Sequence, residues 1–247
     1  MIYTVTFNPF VHDLLFVHDR NLHTGGKSSE DDRCDGEVYP GGKGNNVSVV
    51  LANLGMKSRA LGFIAGFTGD ALEKMLTDFG CTTDFIRLKE GMTRINVKIN
   101  ASEESEINGQ GPEITAEAIR ELFEKLEQIQ EGDILVLAGS IPNTLPEDIY
   151  ERIMERLAGR KIHIVVDATK DLLLNVLKYH PFLIKPNNHE LEELFGVTLK
   201  QEEDIIVYAR KLQEMGAVNV LISMAGDGAL LLTKTERFTE RCRRKGM

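Results

Sequence analysis

The sequence predicts an α/β protein, a doubly wound and mostly parallel sheet with a small β-sheet lid. Three observations predict it. From residue 112 onward, short apolar strands alternate with amphipathic helices, the pattern of parallel strands joined by right-handed crossovers. One of these strands, Ile134-Leu135-Val136-Leu137, is apolar without a break, as a strand buried on both faces must be. By contrast, residues 85–88 and 94–99 alternate apolar and polar, the mark of a sheet with one face wet.

Bulk properties narrow the partners. A chain of 247 residues suits one α/β domain with a small appended element. The net charge of −9 argues against nucleic acid or an anionic membrane surface as partner. No apolar stretch is long enough to span a bilayer and no basic leader opens the chain, so a cytoplasmic protein is expected. The three cysteines, Cys34, Cys81 and Cys242, stand too far apart in sequence for a metal-ligand pair. Their odd number suggests free thiols in a reducing compartment.

The elements follow in order. Residues 1–7 are β-branched and aromatic, read as a strand that stops at Asn8-Pro9. Residues 14–17 form a second apolar run, and 19–39, polar with Gly25-Gly26, read as exposed strands and turns. Pro40-Gly41-Gly42-Lys43-Gly44-Asn45-Asn46 reads as a loop opening a helix over 47–54, closed by Gly55. A strand over 59–64 precedes Thr68-Gly69-Asp70, a turn and cap, and a helix over 71–79 closed by Gly80. The alternating segments between 83 and 111, with 14–39, predict a small antiparallel sheet projecting from the main body. Thr115 caps a helix reaching Gln130, with Leu122, Leu126 and Ile129 on one face. Strands then end at Gly139-Ser140, Asp167, Lys185-Pro186-Asn187 and Ser223, with helices between them and a last strand at 229–232. In such sheets ligands bind beyond the carboxyl ends of the strands.

The Gly-rich loop is the first chemical signal. Glycines let backbone N–H groups approach a ligand, and a helix N-terminus favours negative charge. The loop is not a Walker A loop, because Gly42-Lys43 is followed by Gly44 rather than Ser or Thr. By itself, a Gly-Gly-x-Gly serves equally well as a turn that only needs positive φ.

Seven segments taken together resemble the ribokinase-like, phosphofructokinase B type sugar kinases. They are Thr4 to Pro9, Pro40 to Val47, Thr93 to Lys98, Glu106 to Gly111, Leu137 to Pro142, Lys185 to Leu191 and Ser223 to Ala229. The resemblance covers residues 1 to about 234. It implies ATP- and Mg²⁺-dependent phosphoryl transfer to a ketohexose phosphate, fructose 1-phosphate giving fructose 1,6-bisphosphate, with tagatose 6-phosphate as the alternative acceptor. It also implies a ribokinase-like domain over 1–233, a lid from about 14–39 and 84–110, and homodimers paired through that lid.

Site roles carry over residue by residue. The resemblance assigns Gly41, Gly42 and Asn46 to sugar hydroxyls, and Lys43 and Arg94 to the substrate's phosphate, which Arg matches with a planar fork. Asn108 and Ser140 would be further donors. Asn187 and Glu190 match an Asn-x-x-Glu that orders Mg²⁺ through its waters, and Lys185 lies beside them. Ser223, Met224, Ala225, Gly226, Asp227 and Gly228 match the nucleotide loop. Taken singly, Arg94 would be a solvated edge charge, Glu190 a first-turn helix carboxylate and Ser140 a turn residue. His12, His163 and His189 would each be satisfied or solvated.

Two departures stand out. The family usually carries Asn-Pro-x-x-Asp, whereas here His12 occupies that place and Asp13 comes one residue late. In the family that Asp binds sugar hydroxyls, so the resemblance assigns His12 and Asp13 to the sugar. His12 can still hydrogen-bond a hydroxyl without supplying a negative acceptor. A one-residue shift turns an extended side chain to the opposite face, so Asp13 substitutes only if the chain bulges. The family's catalytic Asp, in a Gly-Ala-Gly-Asp segment, is expected beyond residue 247, so little turnover is expected of the chain as written. Residues 234–247 hold six Lys or Arg against two Glu, and two readings stay open. The tail is either a frameshift product on a truncated kinase or a genuine basic, partner-binding segment. With it goes a third functional reading, a catalytically dead binder of sugar phosphate or nucleotide.

Overall fold

The computed structural model describes residues 1–17, 34–100 and 104–240, without the side chains of 13–17, 34–36, 100 and 104. The expectations for 18–33, including Gly25-Gly26, and for the tail beyond 240 therefore lie outside the described residues, as do the side chains of Asp13, Cys34 and Cys242. In chain order the elements are β1 (Ile2–Thr6), β2 (Phe10–Val17), β3 (Cys34–Gly41), α1 (Lys43–Asn53), β4 (Ser58–Ala65) and α2 (Gly66–Asp78). Next come β5 (Thr82–Thr83), β6 (Ile86–Leu88), β7 (Arg94–Asn100), β8 (Glu104–Asn108) and α3 (Ala116–Leu126). The chain continues with β9 (Ile134–Ala138), α4 (Ile149–Arg156), β10 (His163–Asp167), α5 (Lys170–Val176), β11 (Leu183–Ile184) and α6 (Asn188–Phe195). It ends with α7 (Glu202–Glu214), β12 (Asn219–Ser223), β13 (Ala229–Leu232) and β14 (Arg237–Glu240). No described helix is long and apolar enough to cross a membrane.

Two compact units divide the chain, one made of 1–5 and 123–247, the other of 6–122. In the first, β1, β9, β10, β11 and β12 run parallel, each hydrogen-bonded to the next. Two antiparallel strands, β13 and β14, complete that edge. This is the doubly wound, mostly parallel sheet that the alternation predicts. Leu135, Leu137, Val166, Ile184, Val220 and Ile222 are fully buried, as the unbroken apolar run at β9 requires. The helices bury the stripe their spacing marks out, with Ile149, Ile153, Leu191 and Leu212 all at 0 % exposure. Sequence reading ends the regular pattern at residue 233, yet β14 follows within the basic tail. Its Arg237 reaches Glu202 at 2.5 Å and Thr239 donates to the same carboxylate at 3.1 Å.

In the second unit β4 pairs in parallel with β5 and β6, and a four-stranded sheet runs β3-β2-β7-β8. Val11, Ala60, Ile64, Leu72, Leu76, Cys81 and Phe85 form its core, with Val49 and Ile95 packed against them. The small sheet thus rests one face on α1, α2 and β4.

Four expectations for this unit change. The small sheet is mixed rather than antiparallel, since β2 and β7 pair in parallel while the hairpin-like pairs β2–β3 and β7–β8 are antiparallel. The central pairing joins distant segments, which local alternation cannot orient. Residues 86–88 belong with β4, not with the small sheet; period two reveals a strand with a wet face but not its partner. Helix α1 starts at Lys43, four residues early, because the Asn45 side chain donates to Gly41 O at 2.9 Å and is buried. Thr68, Gly69 and Asp70 lie inside α2, where the Thr68 hydroxyl donates to Thr93 O at 2.7 Å instead of capping. The Thr115 cap holds, accepting from Ala118 N at 3.2 Å.

Candidate functional site

The residues singled out fall into two clusters, one in each unit. In the second unit the Gly-rich segment turns from β3 into α1. Gly42 caps the helix at φ 118°, ψ 132°, a backbone conformation that side-chain-bearing residues rarely adopt. A Cβ there would also lie 2.6 Å from Thr6 Cγ2, and one at Gly41 would lie 2.2 Å from the Phe10 ring. Asn46 N donates to Gly42 O at 2.9 Å and opens the helical ladder. The first turn holds no acidic residue, so no carboxylate of that turn offsets the positive end of the helix dipole. Lys43 and Asn46 are exposed there. Asn45, without a role in the sequence reading, is fully buried and anchors the turn through Gly41 O and the Thr6 hydroxyl.

The small sheet brings further residues into register. Phe10 stands opposite both Gly41 and Arg94. The Arg94 guanidinium carbon sits 4.9 Å from the Phe10 ring centre, and Nη2 donates to Asn8 O at 3.2 Å. Burial pulls its pKa below the ordinary arginine value, against which the Glu106 carboxylate acts. The ordinary value is so high that the group stays cationic. One row further, Tyr39, His12, Asn96 and Asn108 stand side by side across the four strands. Asn108 is exposed, while Asn96 is only 2 % exposed. Sequence reading missed Asn96, although its even spacing from Arg94 put it on the same face. Register runs unbroken from Phe10–Gly41 to Val17–Cys34, so the bulge that Asp13 would need is not there.

In the first unit the strand ends converge as the topology predicts. Ser140 is exposed just beyond β9. Lys185, beyond β11, pairs with the buried Asp167 at the end of β10, Nζ to Oδ2 at 3.2 Å. Asp167 is a second residue that sequence reading placed at a strand end without giving it a role. Burial of Tyr150 foremost, and then the Asp167 charge, pushes the Tyr150 phenol up, so Tyr150 stays protonated and donates to Gly139 O at 3.0 Å. Asn187 forms a parallel bridge to Ser223, and Ser223 N donates to Pro186 O at 3.2 Å. Residues 225–227 make one 3-10 turn, closed by Gly228 and a 2.8 Å bond from Met224 N to Gly228 O. Beside this turn lies a cavity of about 470 Å³ lined by Asn188, Lys200, Gln201, Met224, Gly226 and Asp227 among others.

Asn187 and Glu190 form a reciprocal capping box at the start of α6, each accepting from the other's backbone N–H at 2.8 Å. Among the described residues no group of three or more His, Cys, Asp or Glu could hold a metal directly. One carboxylate and one amide suit a cation that keeps its waters, which is how Mg²⁺ behaves. The donor set therefore fits Mg²⁺ held through water.

Comparison with known proteins gives a consistent set of likenesses. The pfkB family carbohydrate kinase profile matches residues 19–245. A 1-phosphofructokinase of Bacillus subtilis (strain 168) is 46 % identical over 233 residues, covering 94 % of this chain and 75 % of the relative. A D-tagatose-1-phosphate kinase of Bacillus licheniformis is 40 % identical over 235 residues, covering 95 % of this chain and 75 % of the relative. Among solved structures, phosphofructokinase-2 from Escherichia coli in complex with substrates and products superposes with a TM-score of 0.87 at 26 % identity. That match covers 97 % of this chain and 78 % of the other.

Proposed function

From a chain that belongs to the pfkB family of carbohydrate kinases, we infer a kinase that transfers the γ-phosphoryl group of ATP to the 6-hydroxyl of fructose 1-phosphate. The observation that carries this reading is Arg94. It is a half-buried cation stacked on Phe10, in register with Gly41 at the entry to α1. A sugar that already bears a phosphate is the substrate such a group suits, because the planar fork of guanidinium donors matches phosphate oxygens. Lys43 and the positive end of α1 add charge near the same segment. Gly41, Gly42 and Asn46 leave room and donors for sugar hydroxyls, and Asn108 would be a further donor.

The nucleotide is assigned to the first unit. There the turn over 223–228 and Lys185 would meet its base, ribose and phosphates. Mg²⁺, when bound, would neutralise phosphate charge, and Asn187 and Glu190 would hold it through water. Phosphoryl transfer asks the protein mainly for positioning and charge stabilisation. Asp167 contributes by fixing the Lys185 ammonium at the strand ends.

A second reading is favoured by the 40 % identical relative named as a tagatose 1-phosphate kinase. It moves the phosphate of the alternative acceptor from C6, as the sequence reading had it, to C1. Pairing of two chains through the small sheet is also proposed. What supports it is the row Val38, Val97 and Ile107 on the face opposite Arg94, with Val38 and Ile107 more than half exposed.

The test is a coupled kinase assay on the purified chain with fructose 1-phosphate, fructose 6-phosphate and tagatose 1-phosphate as acceptors. Whatever the absolute rate, the highest kcat/KM is expected with fructose 1-phosphate. Preference for the 6-phosphate, or for unphosphorylated fructose, would sink the reading.

A further inference from the structure

We propose that the first unit carries a second ligand site, at the amino ends of β10 and β11, and that it takes an aromatic anion. A cavity of about 850 Å³ lies there, lined only by residues between 131 and 218 and so wholly within that unit. Its volume falls in the range of small-molecule sites. His163 lines the cavity where β10 begins, and Phe182 lines it just before β11. The other ends of the same two strands lead to Asp167 and Lys185. A five-residue strand spans roughly 13 Å, so this cavity stands apart from the strand ends assigned to the nucleotide.

The lining specifies the ligand. Its buried part is apolar, with Met154 and Leu157 3 % exposed and Ile164 8 % exposed. Its exposed rim carries Lys161, Lys178, His163, His180 and Phe182. Glu131 is the one carboxylate in the lining, and it pairs with Lys161 at 2.8 Å. Lys178 pairs at 2.6 Å with Glu151, which lies outside the lining. An ammonium has three donors, so both lysines keep donors for an anion after these pairs form. Excess positive charge at one mouth stands out on a chain of net charge −9 and draws anions to it.

The rings argue for an aromatic body. His163 and Phe182 meet edge to face, with centres 4.6 Å apart at 80°. The Lys178 ammonium sits 5.1 Å from the centre of the Tyr179 ring, which also lines the cavity. A flat ring laid on Met154 and Leu157 would gain sulfur–aromatic contact below and ring edges at the side.

The backbone gives an independent sign. Among the described residues four non-glycines hold a positive φ, and two of them, Lys161 at 53° and His180 at 54°, line this cavity. His180 is held so by capping the 3-10 turn over Leu177–Tyr179 and by a 3.1 Å contact from Nδ1 to Gly216 O. Such conformations cost energy, persist only where the surroundings fix them, and gather at ligand sites.

Titration calorimetry of the full chain tests the proposal without depending on turnover. The probes are naphthalene-2-sulfonate, the cation 2-naphthylmethylammonium, which has the ring and the wrong charge, and inorganic sulfate, which is the head group alone. Naphthalene-2-sulfonate is expected to bind one to one, about tenfold or more tighter than either control. Saturating ATP should leave that affinity unchanged. Replacing both rim lysines, Lys161→Gln with Lys178→Gln, should weaken it about 3–20-fold, as for exposed charges. Ala158→Trp, at an exposed lining position, should fill the mouth and weaken it by more than about tenfold. Thermal melts of each variant confirm that the fold is kept. Equal binding of the cation, displacement by ATP, or unchanged affinity in the folded variants would each overturn the inference while leaving the kinase reading intact.

Discussion

Arg94 shows what one residue owes to its surroundings. As an isolated charge on an alternating strand it has no claim to function, yet stacking on Phe10 and a bond to Asn8 O hold its guanidinium in one orientation. Phe10 in turn keeps its place only because Gly41 has no Cβ to meet its ring. A lysine at 94 would keep the charge and lose the fork and the stacking. Arg94→Lys is therefore expected to raise the KM for the sugar phosphate about 10–100-fold, from the ~1.5–3 kcal/mol of a charged hydrogen bond. The KM for ATP should not move, and steady-state kinetics with each substrate varied in turn checks both halves.

At the scale of the element, the start of α6 carries two duties. Asn187 and Glu190 cap the helix reciprocally, and the functional reading also gives them the waters of Mg²⁺. Substitution separates the two. Glutamine at the third helical position can still reach back to the cap N–H, so Glu190→Gln should keep the melting temperature within about a degree while kcat falls. Glu190→Ala should lose both, at about 1 kcal/mol of stability. Equal kcat in wild type and Glu190→Gln would leave the carboxylate a cap and nothing more. The helix itself was legible in the sequence, because Asn-x-x-Glu before an apolar stripe and Gly196 after it mark both ends. The start of α1 was not, since three glycines and two asparagines suit a loop as well as a helical turn. Burial of Asn45 against Gly41 decided between them.

On the scale of the whole molecule, pairing is what closes the fold. The N-terminal ammonium of Met1 is bonded to Asp133 at the start of β9, where β1 and β9 run side by side. That hydrogen bond, aided by Gln130 N–H and the positive charge and opposed by partial burial, holds the Asp133 carboxyl below its ordinary value. A carboxyl with a depressed folded-state pKa contributes stability above its unfolded pKa and loses it as pH falls through the folded one. Asp133→Asn should therefore lower the melting temperature at pH 7 by a degree or two, from ~0.2–1 kcal/mol for a partly exposed pair. The difference should shrink as pH drops below about 4, the ordinary aspartate range. Calorimetric melts of both proteins from pH 7 to pH 2.5 check the sign, and a constant gap would contradict it.

The sequence by itself determined the mostly parallel α/β sheet, the strand ends that carry Ser140, Lys185, Asn187 and Ser223, and the wet-faced strand that presents Arg94. Each of these is written in local periodicity and in where an apolar run stops, and neither depends on distant residues. Only the tertiary structure decided which strands pair. It moved residues 86–88 to β4, set β2 parallel to β7, and added β14 after the apolar pattern had ended. It also decided that Asp167 meets Lys185 and that His12 stands beside Asn96. Pairing and register are set by contacts between residues tens of positions apart, where period two offers every strand the same face and no partner.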